Sequence, residues 1–210
     1  MSQKAIYYNV SNGGFAEHGA TSPDIKTLQY LKGITETVSE SETDQYANGE
    51  LVGSIKGVTK ITGEIRTTAR DPELESLAAL EISTDAGVAR TIGRKGKRMD
   101  IHYQYSEVDD NSVETAVKVW MLNVEIGKPT RTHETKTNSA TLGEYAYPYT
   151  CYGVKLKAAT GSNDYVDDKG LPVIIHDVEA RTDDTGYATF FASVPAPKYK
   201  APASKNVSGS

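Results

Sequence analysis

The chain is poor in cysteine and in the larger aromatic residues other than tyrosine. It contains one cysteine, Cys151, one tryptophan and three phenylalanines in 210 residues. A single cysteine excludes an intramolecular disulfide framework and fits synthesis in a reducing compartment. Charge of one sign is also not in large excess, because the net charge is only −5. That mild value argues against a dedicated nucleic-acid binder.

Long apolar runs are missing as well. The N-terminal sequence MSQKAIYYNV lacks the apolar segment of a signal peptide, and no segment approaches the length needed to cross a membrane. We therefore expect a protein that is made in a cytosol and does not insert into membranes. The length suits one large β-rich domain, which can bury a core without disulfides or metals.

Sequence patterns typical of catalytic and metal-binding sites are also missing. Residues 184–186 match the Asp-Thr-Gly of aspartic proteases, but the chain has no second copy, so a hairpin turn at 183–186 is favoured. Residues 164–170 lack the alternating oxygen ligands of a calcium loop, and the basic cluster 93–98 lacks P-loop spacing. The histidines are scattered without paired spacing: His18, His102, His133 and His176. We predict no enzyme, no metal and no cofactor.

The chain does contain segments in which apolar and polar residues alternate, as is typical of β-strands. Strands are predicted at 5–10, 98–105, 113–126, 150–158, 171–180 and 187–194. The buried face changes within 113–126, which predicts a bulge or a strand covered on both sides. A helix is predicted over 71–81, because Asp71 can cap it, Pro72 suits its first position, and Leu74, Leu77 and Ala78 form an apolar stripe. The predicted fold is mainly β: a β-sandwich or barrel with one packed α-helix and a long protruding hairpin.

The hairpin, residues 33–68, has an unusual first strand. Even positions carry Ile34, Glu36, Val38, Glu40, Glu42 and Asp44, while odd positions carry Ser and Thr from 35 to 43. Both faces are therefore polar beyond Val38, and such a strand has weak register by itself. It needs neighbours on both edges, or it is a loop. In the second strand, one set of alternating residues can face the core and the other can face water. The core set is Thr59, Ile61, Ile65 and Thr67, and the water set is Lys60, Thr62, Glu64 and Arg66.

The run from Glu42 to Gly49, the strand ending in Gly63-Glu64-Ile65, and the helix after it resemble the major tail (tail tube) proteins of long, flexible-tailed bacteriophages. The strand 118–124 and the Pro/Ser-rich tail fit the same layout, and the likeness covers residues 30 to 195 in order of elements. Asn48-Gly49 departs from the family pattern, in which an acidic residue is commoner there.

The resemblance implies a structural virion protein of the phage tail, assembled in the host bacterial cytoplasm. Family members form hexameric rings that stack into a hollow tube, and a hairpin from each subunit joins a barrel around the lumen. Implied partners are the tape measure protein, the tail terminator, distal tail or baseplate proteins, and double-stranded DNA in passage. The implied lumen or inter-subunit residues are Glu36, Glu40, Glu42, Asp44, Lys60, Glu64 and Arg66, and clustered carboxylates there would let DNA slide.

The implied organisation has an N-terminal arm with a first strand at 1–32, a tail-tube sandwich at 33–194, and a flexible tail at 195–210. Two other functions stay open. One is a secretion-system tube protein of related fold. The other is a carbohydrate-binding β-sandwich of a phage baseplate or fibre, which would use Tyr145, Tyr147, Tyr149 and Tyr152 as a stacking platform, although packing or a subunit contact is the favoured use of these tyrosines.

Overall fold

The computed structural model describes residues 6–39, 42–47, 50–56, 60–91, 95–109, 112–131 and 144–200. The described part of the chain is mainly β, as predicted, with one α-helix and one short 3₁₀ helix. The strands in chain order are β1 (Ile6–Glu17), β2 (Lys26–Thr27), β3 (Leu31–Ser39), β4 (Glu42–Ala47), β5 (Glu50–Lys56), β6 (Lys60–Thr67), β7 (Glu81–Thr84), β8 (Gly87–Arg90), β9 (Met99–Val108), β10 (Glu114–Ile126), β11 (Thr130–Arg131), β12 (Tyr145–Cys151), β13 (Val154–Lys155), β14 (Ile174–Ile175) and β15 (Asp177–Arg181). The α-helix, α1, is Pro72–Leu77, and the 3₁₀ helix is Tyr187–Thr189.

The main sheet is antiparallel and folds over to make a two-layer sandwich. Its hydrogen-bonded order is β2-β1-β9-β10-β12-β6-β3, with β15 beside β10 and β11 beside β12. The first layer holds β2, β1, β9, most of β10, and β15, and the second holds β12, β11, β6 and β3. The buried core between them includes Phe15, Ile101 and Val119 from the first layer and Ile65 and Tyr147 from the second.

Strand β10 connects the two layers through a bulge. Its first part pairs with β9 and β15, and its last residues, Val124–Ile126, pair with β12. The register shifts between Met121 and Val124, where Asn123 has a φ of 61°. Asp100 Oδ1 accepts the Asn123 N–H at 2.9 Å, and Asn123 Nδ2 donates to the Gly153 carbonyl at 2.7 Å. The bulge predicted from the change of buried face is therefore confirmed.

The first strand, predicted at 5–10, is longer in the structure. Strand β1 runs twelve residues, to Glu17, and pairs with β9 inside the main sheet. Phe15 is fully buried, so this strand is part of the core. Two register shifts interrupt the pairing near Asn9 and Asn12, whose φ values are 59° and 49°. Asn tolerates this left-handed conformation, and the resulting bulges hid the strand's periodicity in the sequence.

Helix α1 begins as predicted and ends earlier than predicted. The Asp71 carboxylate accepts the Leu74 N–H at 3.1 Å, and Pro72 occupies the first turn. The helix stops at Leu77, because Ala79 takes a φ of 53° and closes a Schellman motif. In that motif Leu80 N donates to the Glu75 carbonyl at 2.9 Å and Ala79 N to the Ser76 carbonyl at 3.0 Å. The chain is then free to form the β7–β8 hairpin.

The strand predicted at 187–194 is also wrong. Gly186, with a φ of 94°, leads into the 3₁₀ helix instead, so the turn at 183–186 does not close a hairpin. The segment that follows packs on the outer face of the first layer, where Trp120 Nε1 donates to the Phe190 carbonyl at 2.9 Å. Residues 195–200 differ from the expected mobile tail, since Tyr199 N donates to the Lys157 carbonyl at 2.8 Å. Residues 201–210 lie outside the described residues.

Candidate functional site: the hairpin and its outer face

The predicted hairpin is present as a long two-stranded ribbon. At its base β3 pairs with β6, from Leu31 opposite Thr67 to Ser39 opposite Lys60. Further along, β4 pairs with β5, from Glu42 opposite Lys56 to Ala47 opposite Glu50. In the described part of the chain β4 and β5 have no other strand partner, so this end of the ribbon forms a sheet by itself.

One face of the ribbon base points away from the core, and we call it the hairpin face: Thr35, Thr37, Lys60, Thr62, Glu64 and Arg66. The register sets Thr35 opposite Glu64 and Thr37 opposite Thr62 on this face. Ile65 and Thr67, on the other face, are fully buried, and Lys60 is exposed. The predicted division of β6 into a core side and a water side is confirmed over 60–67, and Thr59 lies outside the described residues.

Glu64 and Arg66 of the hairpin face form a charge cluster with the neighbouring Glu144 and Lys32, whereas Lys60 is exposed. Arg66 Nη2 lies 3.3 Å from Glu64 Oε2, and Arg66 Nε lies 3.6 Å from Glu144 Oε1. Lys32 Nζ donates to Glu144 Oε2, and this hydrogen bond lowers the pKa of the Glu144 carboxyl. Exposed pairs of this kind contribute little to stability. Instead, these pairs reduce the local net charge of the surface, because each described carboxylate there has a cation beside it.

The pairing register of β3 with β6 places Glu36 on the opposite face of the ribbon from the candidate residues Lys60, Glu64 and Arg66. It lies opposite Gly63 and shares the core-side face with Ile34 and Val38. The Tyr103 hydroxyl donates to its carboxylate at 2.6 Å. Desolvation raises the pKa of Glu36, aided by the nearby charges of Asp177 and Glu179, while the Tyr103 hydrogen bond opposes the rise. The structure therefore does not bring Glu36 together with Glu64 and Arg66 on one surface.

The remaining acidic candidates belong to the far part of the ribbon. Glu40 lies outside the described residues. Glu42 and Asp44 are in β4, opposite Lys56 and Ser54, and their side chains lie outside the description. An acidic surface made by these three residues stays a prediction.

Gly63 of β6 allows a side chain of β12 to reach across β6 and hydrogen-bond to β3. The Tyr149 ring lies over Gly63, and its hydroxyl donates to the Thr35 carbonyl at 3.0 Å. A Cβ added at Gly63 would lie 1.8 Å from that carbonyl oxygen and 3.0 Å from Tyr149 Cε1. Only a residue without a side chain fits between β12 and β3 here, so this glycine sets how the hairpin leaves the sandwich.

Strand β3 is the last strand of the second layer. It pairs with β6 on one edge, and the described residues supply no ladder on its other edge. Its start approaches β1, where the Leu31 side chain packs against Gly13. Unpaired edges of this length are templates for pairing with another chain. The edge of β3 is therefore a candidate inter-subunit surface.

The tyrosine-rich strand β12 is used for packing. Tyr147 is fully buried and Tyr149 is 3% exposed, so two of the four proposed sugar-stacking rings lie inside the core. Tyr152 is covered by the Arg98 guanidinium, 4.1 Å from the ring centroid. The structure thus agrees with packing, the use that the sequence favoured.

Sequence reasoning missed a buried polar network that fixes α1 against β12. Glu75 is fully buried, and its carboxylate accepts hydrogen bonds from Arg70 Nε at 2.9 Å and from the Tyr147 hydroxyl at 3.0 Å. The same hydroxyl accepts the Asp71 N–H at 3.2 Å. Arg70 also pairs with Glu81. A glutamate in the first turn of a helix gives no sequence signal of burial, because that position is normally solvated.

A scan of the chain against protein-family models finds no match, and a search of curated proteins finds none. Among the described residues, no group of three or more His, Cys, Asp or Glu side chains is placed to hold a metal ion. None of the helices in the described ranges is both long and apolar enough to cross a membrane.

Proposed function

We propose that this protein is a structural subunit of a phage tail tube. Its copies form hexameric rings that stack into a hollow tube, and the hairpin of each subunit joins the wall around the lumen. The observation that carries the proposal is the ribbon of β3 to β6. It continues beyond the sandwich as a self-paired sheet and keeps a polar outer face and an unpaired edge.

The physical argument concerns what a polar ribbon needs in order to stay ordered. A two-stranded ribbon is marginally stable alone in water. Closing copies of it into a barrel pairs both edges and fixes the register that one copy leaves loose. One face can then line a water-filled channel, which suits the Thr, Lys, Glu and Arg residues of the hairpin face.

The charge pattern suits a channel for DNA. Duplex DNA carries one negative charge per ~1.7 Å of axis, and a wall of free Lys and Arg would bind it through counterion release. On the hairpin face Arg66 is compensated by Glu64 and Glu144, and Lys32 by Glu144. In the proposed tube this surface holds DNA weakly, and the acidic residues Glu40, Glu42 and Asp44 add repulsion further along.

The proposal places the protein in the virion, assembled in the host cytoplasm. There the tape measure protein fills the tube first, the tail terminator and distal tail or baseplate proteins close its ends, and DNA passes later. No catalytic step is part of this function.

The test is assembly of the purified chain, followed by negative-stain electron microscopy and sedimentation velocity over a concentration series. Rings or tubes with six-fold symmetry are expected from the full chain. A variant in which an Asn-Gly turn replaces residues 42–56 is expected to stay folded and monomeric, because it removes only the self-paired end of the ribbon. The matched control shortens the other self-paired hairpin, β7–β8, and is expected to assemble.

Two results would count against the proposal. One is a full-length chain that stays monomeric at every soluble concentration and in crowding agents. The other is normal tube formation by the variant without residues 42–56, since the barrel around the lumen requires that ribbon. A discrete monomer or trimer that binds glycans would favour the carbohydrate-binding alternative instead.

A further inference from the structure

The outer face of the first layer carries a second, smaller apolar cluster centred on a histidine. His102 of β9 is 7% exposed, and its ring lies 4.6 Å from the Trp120 ring of β10. Phe191 covers the same imidazole at 4.2 Å between ring centroids. A Cβ added at Gly14 of β1 would lie 2.2 Å from His102 Nε2, so the strand backbone closes tightly against the ring.

The cover over this cluster is residues 187–197, which we call the C-terminal strap. It contains a 3₁₀ turn and belongs to no ladder of the main sheet in the described residues. Two hydrogen bonds hold it to β10: Trp120 Nε1 to the Phe190 carbonyl at 2.9 Å, and Lys118 Nζ to the Tyr187 carbonyl at 2.8 Å. The Lys118 ammonium also lies 4.3 Å from the Tyr187 ring centroid.

The surroundings of His102 favour the neutral imidazole. Its Nδ1 atom is buried without a hydrogen-bond partner, and the imidazole hydrogen-bonds to the Asn12 backbone. Desolvation lowers the pKa of His102 from 6.5 to about 4, and the positive charge of Lys118 adds to the effect while the Asn12 bond opposes it. A neutral imidazole with an unused acceptor is compatible with this apolar site, whereas an imidazolium is not.

Among the described residues, the strands on either side of β9 place Gly14 and Trp120 in register with His102, and neither carries a charge. On its own strand, Asp100 is engaged by His18 Nδ1 at 2.7 Å and by the Asn123 N–H. On β2, the ammonium of Lys26 is paired with Glu73 at 3.0 Å. On β15, the residues in register with Lys118 and Trp120 are Ala180 and Val178. The strap itself has no Asp, Glu, Lys, Arg or His. The charge that acts on the imidazole is the cation of Lys118, which lowers the pKa of His102.

We propose that His102 is a proton-operated latch for the C-terminal strap, which opens from the sheet when the imidazole is protonated. Opening removes Phe191 from the ring, admits water to Nδ1, and moves the new charge out of an apolar site. The strap is the element that moves, because backbone ladders join β1 to β9 and β9 to β10, whereas the strap is held on β10 by side-chain hydrogen bonds from Lys118 and Trp120.

The direction of the pH effect follows from the lowered pKa. The closed form disfavours the proton, so closure is complete above the ordinary histidine pKa of 6.5 and weakens as pH falls below it. Each pH unit below that value raises the ratio of open to closed strap about tenfold. The increase levels off near pH 4, where the closed form also binds the proton.

The chain offers a single fluorophore for the test, because Trp120 is its only tryptophan and is fully buried beneath the strap. Tryptophan emission and acrylamide quenching are recorded on the full chain between pH 7.5 and pH 4, with far-UV circular dichroism as the monitor of global folding. A red shift and increased quenching below pH 6.5 with unchanged circular dichroism are expected. His102→Gln should abolish the transition, and the matched control His18→Gln should retain it.

If His102→Gln fails to fold, a measurement on the wild-type protein can still test the proposal. Nitrogen-detected NMR of the imidazoles should show His102 neutral as long as Trp120 emission is that of the closed form. The latch is refuted if emission stays constant down to pH 4, if it shifts only together with loss of circular dichroism, or if His102 titrates near 6.5 with no change at Trp120. A transition that persists in His102→Gln would refute it equally.

Discussion

Substitution of Gly63 by alanine tests how the hairpin is held to the sandwich. The added Cβ would lie 1.8 Å from the Thr35 carbonyl oxygen and 3.0 Å from Tyr149 Cε1. The first neighbour is backbone, so it cannot move aside as a flexible side chain can. Strand β3 must shift away from β6, and the Tyr149 hydroxyl then loses the Thr35 carbonyl, which it now reaches at 3.0 Å.

The expected loss combines three contributions. Overpacking in a close contact costs about 1–3 kcal/mol. Loss of the Tyr149 hydrogen bond costs about 1 kcal/mol. Alanine returns about 0.4–1 kcal/mol, because it reduces the conformational entropy of the unfolded chain. We expect Gly63→Ala to lower the free energy of unfolding by about 1–3.5 kcal/mol, which for a chain of this size lowers Tm by roughly 2–14 °C.

The assay is urea unfolding followed by circular dichroism, at a concentration where the chain is monomeric. Gly33→Ala is the matched control, because it lies in the same hairpin and a Cβ there meets nothing within 4 Å. Its effect should stay within about 0.5 kcal/mol of zero. Tyr149→Phe should cost about 1 kcal/mol alone and much less in the Gly63→Ala background. Equal stabilities of the two glycine variants would refute the close contact on which the reasoning rests.

Three further predictions concern α1, its buried network and the cysteine. Ala79→Gly should raise the free energy of unfolding by about 0.5–1 kcal/mol in the same urea assay, because Ala79 has a φ of 53° that glycine adopts without strain; a loss of stability would contradict the Schellman motif. Tyr147→Phe should lower the free energy of unfolding by about 1–3 kcal/mol, since Glu75 and the Asp71 N–H each lose a buried hydrogen-bond partner. An unchanged urea midpoint would show that these hydrogen bonds do not form in solution. Burial raises the pKa of the Cys151 thiol to about 11, so at pH 8 an aromatic disulfide reagent should modify it only after unfolding in denaturant, and rapid reaction of the native chain would contradict its burial.

Several elements could be predicted from the sequence because their signals are local. The start of α1 follows from Asp71 and Pro72, whose capping roles depend on neighbours within one turn. The bulge in β10 follows from the switch of buried face along a single strand. The division of β6 into core and water sides follows from the period of two in strand side chains.

Other elements were mispredicted because their signals lie far away in the sequence. The first strand was predicted only over 5–10, but β1 continues through Gly14, where it passes His102 of β9. The end of α1 at Leu77 depends on a left-handed alanine, a conformation that alanine does not favour by itself. Residues 187–194 alternate like a strand, yet the partners they use are Lys118 and Trp120, about seventy residues earlier.

The candidate site divides in the same way. The polar character of the hairpin and the outward side of Lys60, Glu64 and Arg66 could be read from the sequence. Sequence reasoning could not place Glu36, because the register of β3 against β6 and the reach of the Tyr103 hydroxyl decide that it lies on the opposite face of the ribbon from Glu64 and Arg66. It also missed Glu144, which joins Lys32 and Arg66 across two strands.

The mainly β class, the capped start of α1 and the polar outer side of the ribbon follow from sequence patterns, since periodicity and capping act over a few residues. The packed fold determines which carboxylates meet a cation, which tyrosines enter the core, and that the strap covers a histidine. The physical reason is that burial, desolvation and ion pairing depend on residues brought together across the sandwich, often from positions some seventy or more apart in the chain.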